Sequence, residues 1–273
     1  MGIVLGIDIG GSTTKIVGFS SGGGLVGALL VKAADQITSM YGAIGNFSRK
    51  YSFSLGDVDK IVLTGVGASF FDDDVYGIPT VKIDEFIAIG NGGLYLAEKH
   101  EAFVVSMGTG TAFVRASMSG VTHIGGSGVG GGTLLGLSSL MINKADIEAI
   151  LSLAENGSTE NVDLLVRDII NYETPSLPVN LTASNFGNIK STASGADIAA
   201  GIINMIIQTV GMLAVFASKN DTINDFVLTG TLTALPQAKG IFDAIGKMHG
   251  VNFIIPRDAV FATAIGAAIS TCQ

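Results

Sequence analysis

The chain has 273 residues, a formal net charge of −8 and no basic run, which argues against nucleic acid as a partner. Hydrophobic residues make up 48% and charged ones 14%, yet the longest apolar stretch, 202–217, is broken by Asn204 and Gln208. It falls short of the ~20 residues of a membrane span and reads as a helix buried on most sides. Cys272 is the only cysteine, which excludes an intrachain disulfide or a cysteine-built cluster and points to a reducing cytoplasm.

Residues 3–9 alternate and are β-branched, as a strand does. Gly10-Gly11-Ser12-Thr13 makes a tight turn, and strands over 14–19 and 25–31 complete an antiparallel meander. The start carries neither the basic region nor the cleavage site of a signal peptide. A helix is expected over 34–50, strands over 60–64 and 80–83, a helix over 85–97 and a strand over 102–107. From Gly108 the pattern restarts: a Gly/Thr turn, two short strands, and then 125–132, where six of eight residues are glycine. Helices follow over 133–142, 146–154 and 162–170, then a loop with Pro175 and Pro178. Ser194-Gly195-Ala196-Asp197 reads as a capping box opening a long apolar helix to 219. A strand over 226–229 ends in Gly230-Thr231, and a strand over 252–255 and a helix over 258–270 close the chain. Strands alternating with helices after a meander imply an α/β fold with mixed sheets, in two unequal halves, 1–107 and 108–273.

Asp8-Ile9-Gly10-Gly11-Ser12-Thr13-Thr14-Lys15 has the parts of a phosphate grip. An Asp at a strand end can orient Mg²⁺, while turn N–H groups and hydroxyls hold phosphate oxygens. A plain hairpin with an Asx cap is the competing reading, and the ending of a Walker A loop is absent. Gly108-Thr109-Gly110-Thr111 repeats the chemistry in the second half, so the two turns could grip a polyphosphate from both sides. Gly230-Thr231 could approach an adenosine, though an ordinary turn explains it as well. The glycines ahead of residue 133, Gly130, Gly131 and Gly132 among them, place a helix start where an anion would lie.

These motifs resemble the acetate kinase/hexokinase/actin-like superfamily, and within it the type II pantothenate kinase family. The resemblance is carried by GIDIGGSTTKIV, VSMGTGTAF, IGGSGVGGGTLLGL, AENGSTENVDLLVRDI, LTASNFGNI and FATAIGAAI, spread over most of the chain. It implies a two-domain actin-like ATPase (ribonuclease H-like) fold, with mixed sheets flanked by helices and a nucleotide cleft between the domains. It implies ATP and Mg²⁺, with Asp8 toward the metal, and pantothenate or a similar small hydroxylated substrate. It also implies a cytoplasmic homodimer and acyl-coenzyme A as a feedback ligand.

Glu85, seven residues before Gly92, has the spacing of the family's catalytic glutamate; by itself it reads as a first-turn acid complementing the helix dipole. Asp84 is then the N-cap. Fourteen residues after Thr109 stands His123, where the family has an arginine touching substrate and the transferring phosphate. A histidine is the weaker group, with at most two donors against a fixed fork of five. Arg115, Arg167 and Arg257 are the other candidates for that charge. The family's substrate positions fall on Thr109, Ala112, Thr182 and Ala183, with Ala112 replacing a common serine and Thr182 and Ala183 supplied by the partner subunit. The expected activity is ATP-dependent phosphorylation of pantothenate, the first step towards coenzyme A. The alternatives are a same-fold kinase for another small hydroxylated substrate, or a non-catalytic ATP-binding regulator. A dehydratase activator is disfavoured, because its bridging iron–sulfur cluster needs more than Cys272.

Overall fold

The computed structural model describes residues 2–32, 35–170 and 178–271; Ala34, Pro175 and Cys272 lie outside them. A first sheet takes β1 (Ile3–Ile9), β2 (Thr13–Ser20) and β3 (Leu25–Lys32) as an antiparallel meander. Helix α1 (Gln36–Tyr51), capped by Asp35, leads into β4 (Val58–Thr64), which joins β1 in parallel, and β5 (Thr80–Lys82) joins β4. The order is β3-β2-β1-β4-β5. Helix α2 (Glu85–Ala97) follows, with the Asp84 carboxylate accepting from the N–H groups of Phe86 and Ile87.

The second sheet opens with its own meander, β6 (Glu101–Met107), β7 (Thr111–Ser117) and β8 (Gly120–Ser127). Helices α3 (Gly131–Ile142) and α4 (Ile147–Ala154), the short pair β9 (Leu164–Leu165) and β10 (Thr182–Ser184), and α5 (Gly195–Ala217) come next. Strand β11 (Asp225–Thr229) then joins β6 in parallel, and after α6 (Pro236–His249) strand β12 (Asn252–Ile254) joins β11. Helix α7 (Ala262–Ile269) ends the described fold. Read from the meander outward, the order β8-β7-β6-β11-β12 repeats the first sheet strand for strand. This is the two-lobed, mixed-sheet α/β architecture that the resemblance implies.

The lobes exchange helices. The face of the second sheet carrying Val104, Val114 and Ala116 is covered by Ile89 and Leu94 of α2, which follows the first sheet in the chain. Val17 and Phe19 of the first sheet are covered by Ala264, Ile265 and Ala268 of α7. Where α2 crosses α7, Gly92 faces the Ala262 carbonyl and Gly266 the Ala88 carbonyl, so closely that a Cβ on either would fall on backbone. A boundary at residue 107 therefore lies inside the second sheet. Sheet membership changes before Glu101, since β6 pairs with β7 and β11 of the second sheet.

Two further expectations are corrected, and two helices were not fully anticipated. Residues 162–170 form no α-helix: β9 runs into a 3-10 turn, Val166–Asp168, where the Asp168 carboxylate accepts from the Leu165 N–H at 2.9 Å. Local capping and the pairing with β10 outcompete the apolar spacing. Helix α6, unanticipated, has Pro236 in its first turn and Gly250 as a left-handed C-cap. The stretch 258–270 is a 3-10 turn, Ala259–Phe261, followed by α7. Helix α5 has 23 residues, long and apolar enough to cross a membrane by length and composition. It is instead the central core helix of the second lobe, where Ile202, Ile203, Ile206, Ile207 and Val210 are buried. Its capping box is present, and the Ser194 and Ser158 N–H groups hold the Asp197 carboxyl well below the ordinary carboxylate range.

Candidate active site

Between the lobes lies a cavity of about 900 Å³. The first lobe lines it with the β1–β2 turn, Gly10, Gly11, Ser12 and Thr13, and with Asp8 and Lys15 below the turn. The second lobe answers with Gly108, Thr109, Gly110, Thr111 and Ala112 of the β6–β7 turn. The two turns touch: the hydroxyls of Ser12 and Thr109 are 3.2 Å apart. Among the described residues the N–H groups of Gly11, Ser12 and Thr109 make no hydrogen bond, leaving donors on both turns for an anion.

Behind the turns, the sheet registers place corresponding residues side by side. In the first lobe Asp8 pairs with Lys15 on one side and Thr64 on the other. In the second, Ser106 pairs with Ala112 and Thr229. Repetition of the fold thus leaves the charge on one lobe only. Asp8 and Lys15 form an ion pair of 2.9 Å with both side chains buried. Ala112 is the structural counterpart of Lys15. Each lobe then turns at a Leu-Thr-Gly ending, Leu63-Thr64-Gly65 and Leu228-Thr229-Gly230. Both glycines have left-handed φ, +83° and +88°, and a Cβ at Gly65 would stand 2.6 Å from the Asp8 carboxylate. The hydroxyls of Thr64 and Thr229 are buried with no hydrogen-bond partner.

Glu85, in the first turn of α2, lines the same cavity. Burial raises its carboxyl above the ordinary range, and the Asp8 carboxylate adds to this, with Lys15 opposing. His123, on the edge strand β8, also lines the cavity, and its ring lies flat against Phe86 at 3.8 Å between centroids and 10° between planes. None of the three arginines reaches the cavity. Arg115 is held by Asp221 at 2.7 Å, Arg167 by Glu160 at 2.7 Å, and Arg257 is 96% exposed.

Gly131, Gly132, Gly230 and Thr231 also line the cavity. The N–H groups of Gly131 and Gly132 donate back to the carbonyls of Gly108 and Thr109, at 2.8 and 2.9 Å. That end of α3 therefore shapes the turn. Two further positions expected to hold the cofactor fall outside the lining: Thr14 is fully buried, and Gly130 is the N-cap of α3. Thr182 and Ala183 also lie outside the cavity, in β10, where Thr182 donates to the buried Asp163 carboxylate at 3.3 Å. Sequence reasoning did not single out Phe86, Ser106 or Thr263, all of which line the cavity. Ser106 was legible from the repeat, as the counterpart of Asp8; Phe86 had no signal beyond following Glu85.

Residues 97–237 match the family model described as Fumble. The chain is 26% identical to the type II pantothenate kinase of Staphylococcus haemolyticus over 273 residues, covering 96% of this chain and 98% of that one. It is 27% identical to the type II pantothenate kinase of Bacillus cereus strain G9842, with 97% of each chain covered. Among solved structures, the activator of the 2-hydroxyisocaproyl-CoA dehydratase from Clostridium difficile, with bound ADPNP, superposes with a TM-score of 0.71 at 17% identity. That superposition covers 99% of this chain and 94% of the other and is a likeness of fold. With more than half of its length matched by the family model and relatives along its whole length, the chain belongs to the Fumble family.

Proposed function

We propose that the protein transfers the γ-phosphoryl group of ATP to the primary hydroxyl of pantothenate, the first step towards coenzyme A. The observation that carries this is Glu85: a carboxylate with a raised proton affinity, lining the same cavity as two facing Gly/Thr turns. In this reading the N–H groups and hydroxyls of the two turns hold the triphosphate, and Gly230-Thr231 faces the adenosine. The Glu85 carboxylate accepts the proton of the acceptor hydroxyl as its oxygen bonds to the γ-phosphorus. The bond to the bridging oxygen breaks and ADP leaves. Unused N–H donors on the turns offset charge on the transferring group without reorganising.

Asp8 is the residue that would take Mg²⁺. Among the described residues no group of three or more His, Cys, Asp or Glu side chains could hold an ion by itself. One carboxylate suits an ion held chiefly by phosphates and water. One Asp8 oxygen is already committed to Lys15. When bound, Mg²⁺ neutralises phosphate charge.

The proposal includes a cytoplasmic homodimer, supported by the resemblance and by Leu213 and Phe216, which α5 leaves exposed at 36% and 60%. It would bring Thr182 and Ala183 to the partner's cavity, with acyl-coenzyme A as a feedback ligand. A second reading, another small hydroxylated acceptor, is favoured by Ala112, which offers no hydroxyl, and by His123, which leaves the cavity without an arginine. ADP release measured with and without pantothenate, and over a small panel of hydroxyl acceptors, separates these. Stimulation by pantothenate, reduced about 100-fold or more in Glu85→Gln, is the expected result. Stimulation only by another acceptor selects the second reading, and ATP binding without turnover selects a regulator.

A further inference from the structure

The cavity contains a histidine, His123, to which the reaction proposed above gives no step. Of the lysines lining the cavity, Lys15 is committed to Asp8 at 2.9 Å, and Lys32, 84% exposed, points to solvent with Asp146 at 3.5 Å. His123 differs: among the described residues neither of its ring nitrogens makes a hydrogen bond. Its ring is nonetheless held, because one face is covered by Phe86 in a parallel stack. A stack of this kind fixes the plane of the imidazole and leaves only its edge, where both nitrogens lie, for bonding. An exposed histidine on an edge strand would otherwise sample several rotamers. Phe86 is the residue after Glu85, in the same first turn of α2. Consecutive Cα atoms are about 3.8 Å apart, so the base and the platform under His123 are set by one rigid turn.

We propose that Phe86 is a positioning residue: through the stacked face of His123 it makes the site select acceptors that carry an oxygen, anionic or strongly hydrogen-bonding, a few bonds from the reacting hydroxyl. This rests on the reading of Glu85 as the group that receives that hydroxyl. The stack supplies in two pieces what an arginine supplies in one, a planar donor with a fixed direction. Phe86 gives the plane and His123 the donors.

The test is a double-mutant cycle on the full chain, in steady-state kinetics with ATP and pantothenate. Phe86→Met keeps apolar volume and loses the flat face. It is expected to raise the acceptor KM about tenfold, with kcat within about twofold and the ATP KM unchanged. Phe86→Tyr should restore the wild-type KM. In a His123→Ala background Phe86→Met should add nothing, since its effect passes through the imidazole. Equal penalties in both backgrounds, or an unchanged acceptor KM in Phe86→Met, would overturn the proposal. In the wild-type chain the His123 ring protons should be shifted upfield in NMR spectra by the Phe86 ring current. An absent shift overturns the stack even if Phe86→Met fails to fold. Absence of pantothenate turnover by the wild-type chain would instead overturn the function proposed above, and this inference with it.

Discussion

At the scale of single residues, the site works by contrasts between near neighbours. Asp84 and Glu85 are adjacent acids with different roles, because one caps the helix and the other enters the cavity. The Asp84 carboxylate is occupied by two backbone N–H groups, whereas burial and the Asp8 carboxylate keep the Glu85 carboxyl's proton affinity high. A base must be ionised to act, so activity is lost as pH falls through the raised value. The acid limb of kcat/KM for pantothenate should therefore lie above the ordinary carboxylate range of about 4. A pH profile with its acid limb at that ordinary value would show that Glu85 is not the group being titrated. The sequence showed which residue types the site uses, but not how two of them are committed. The Asp8–Lys15 ion pair follows from the β1–β2 register, which sets the two residues side by side across the turn.

At the scale of elements, most strands and caps were legible because they depend on local patterns. The meander, the Asp84 cap and the Ser194–Asp197 box all come from residues within a turn of one another. What escaped was decided at a distance. Residues 162–170 have helical spacing, but Asp163 is buried and its carboxylate accepts from the Phe186 N–H at 2.9 Å and the Asn204 side chain at 2.9 Å. Those partners are far along the chain, and they draw the segment into a small sheet. The α2–α7 crossing is another such element. The Gly266 backbone meets the Ala88 carbonyl so closely that no side chain can be added without parting the helices. Gly266→Ala should cost about 2–4 kcal/mol in denaturant unfolding. Gly136→Ala on α3, where nothing lies within 4 Å of the added methyl, serves as the control and should be neutral or stabilising. Equal effects in the two variants would mean that the helices separate freely.

At the scale of the whole molecule, a duplicated fold carries an unduplicated site. Two sheets of one topology bring two Gly/Thr turns face to face, yet Asp8, Lys15 and Glu85 have no charged counterparts across the cleft. The equivalent positions differ in chemistry, with Ser106 and Ala112 where the first lobe has Asp8 and Lys15. The exchange of helices makes the lobes mutually dependent. A fragment ending before β6 would leave Val17 and Phe19 uncovered, since their partners are Ala264, Ile265 and Ala268. Such a fragment should give collapsed, poorly dispersed NMR spectra, and a well-dispersed spectrum would show that the first sheet stands alone. The same exchange bears on how the protein is made. On the ribosome the strands of the first sheet emerge long before α7, so one apolar face of that sheet must wait, open to water, while nearly all of the second lobe is translated. Residues 3–82 can pair into a sheet early, but they cannot finish folding until α7 has left the tunnel. The first lobe to be synthesised is then not the first to be completed, and the helix crossing that later carries the cleft is also the last step of assembly.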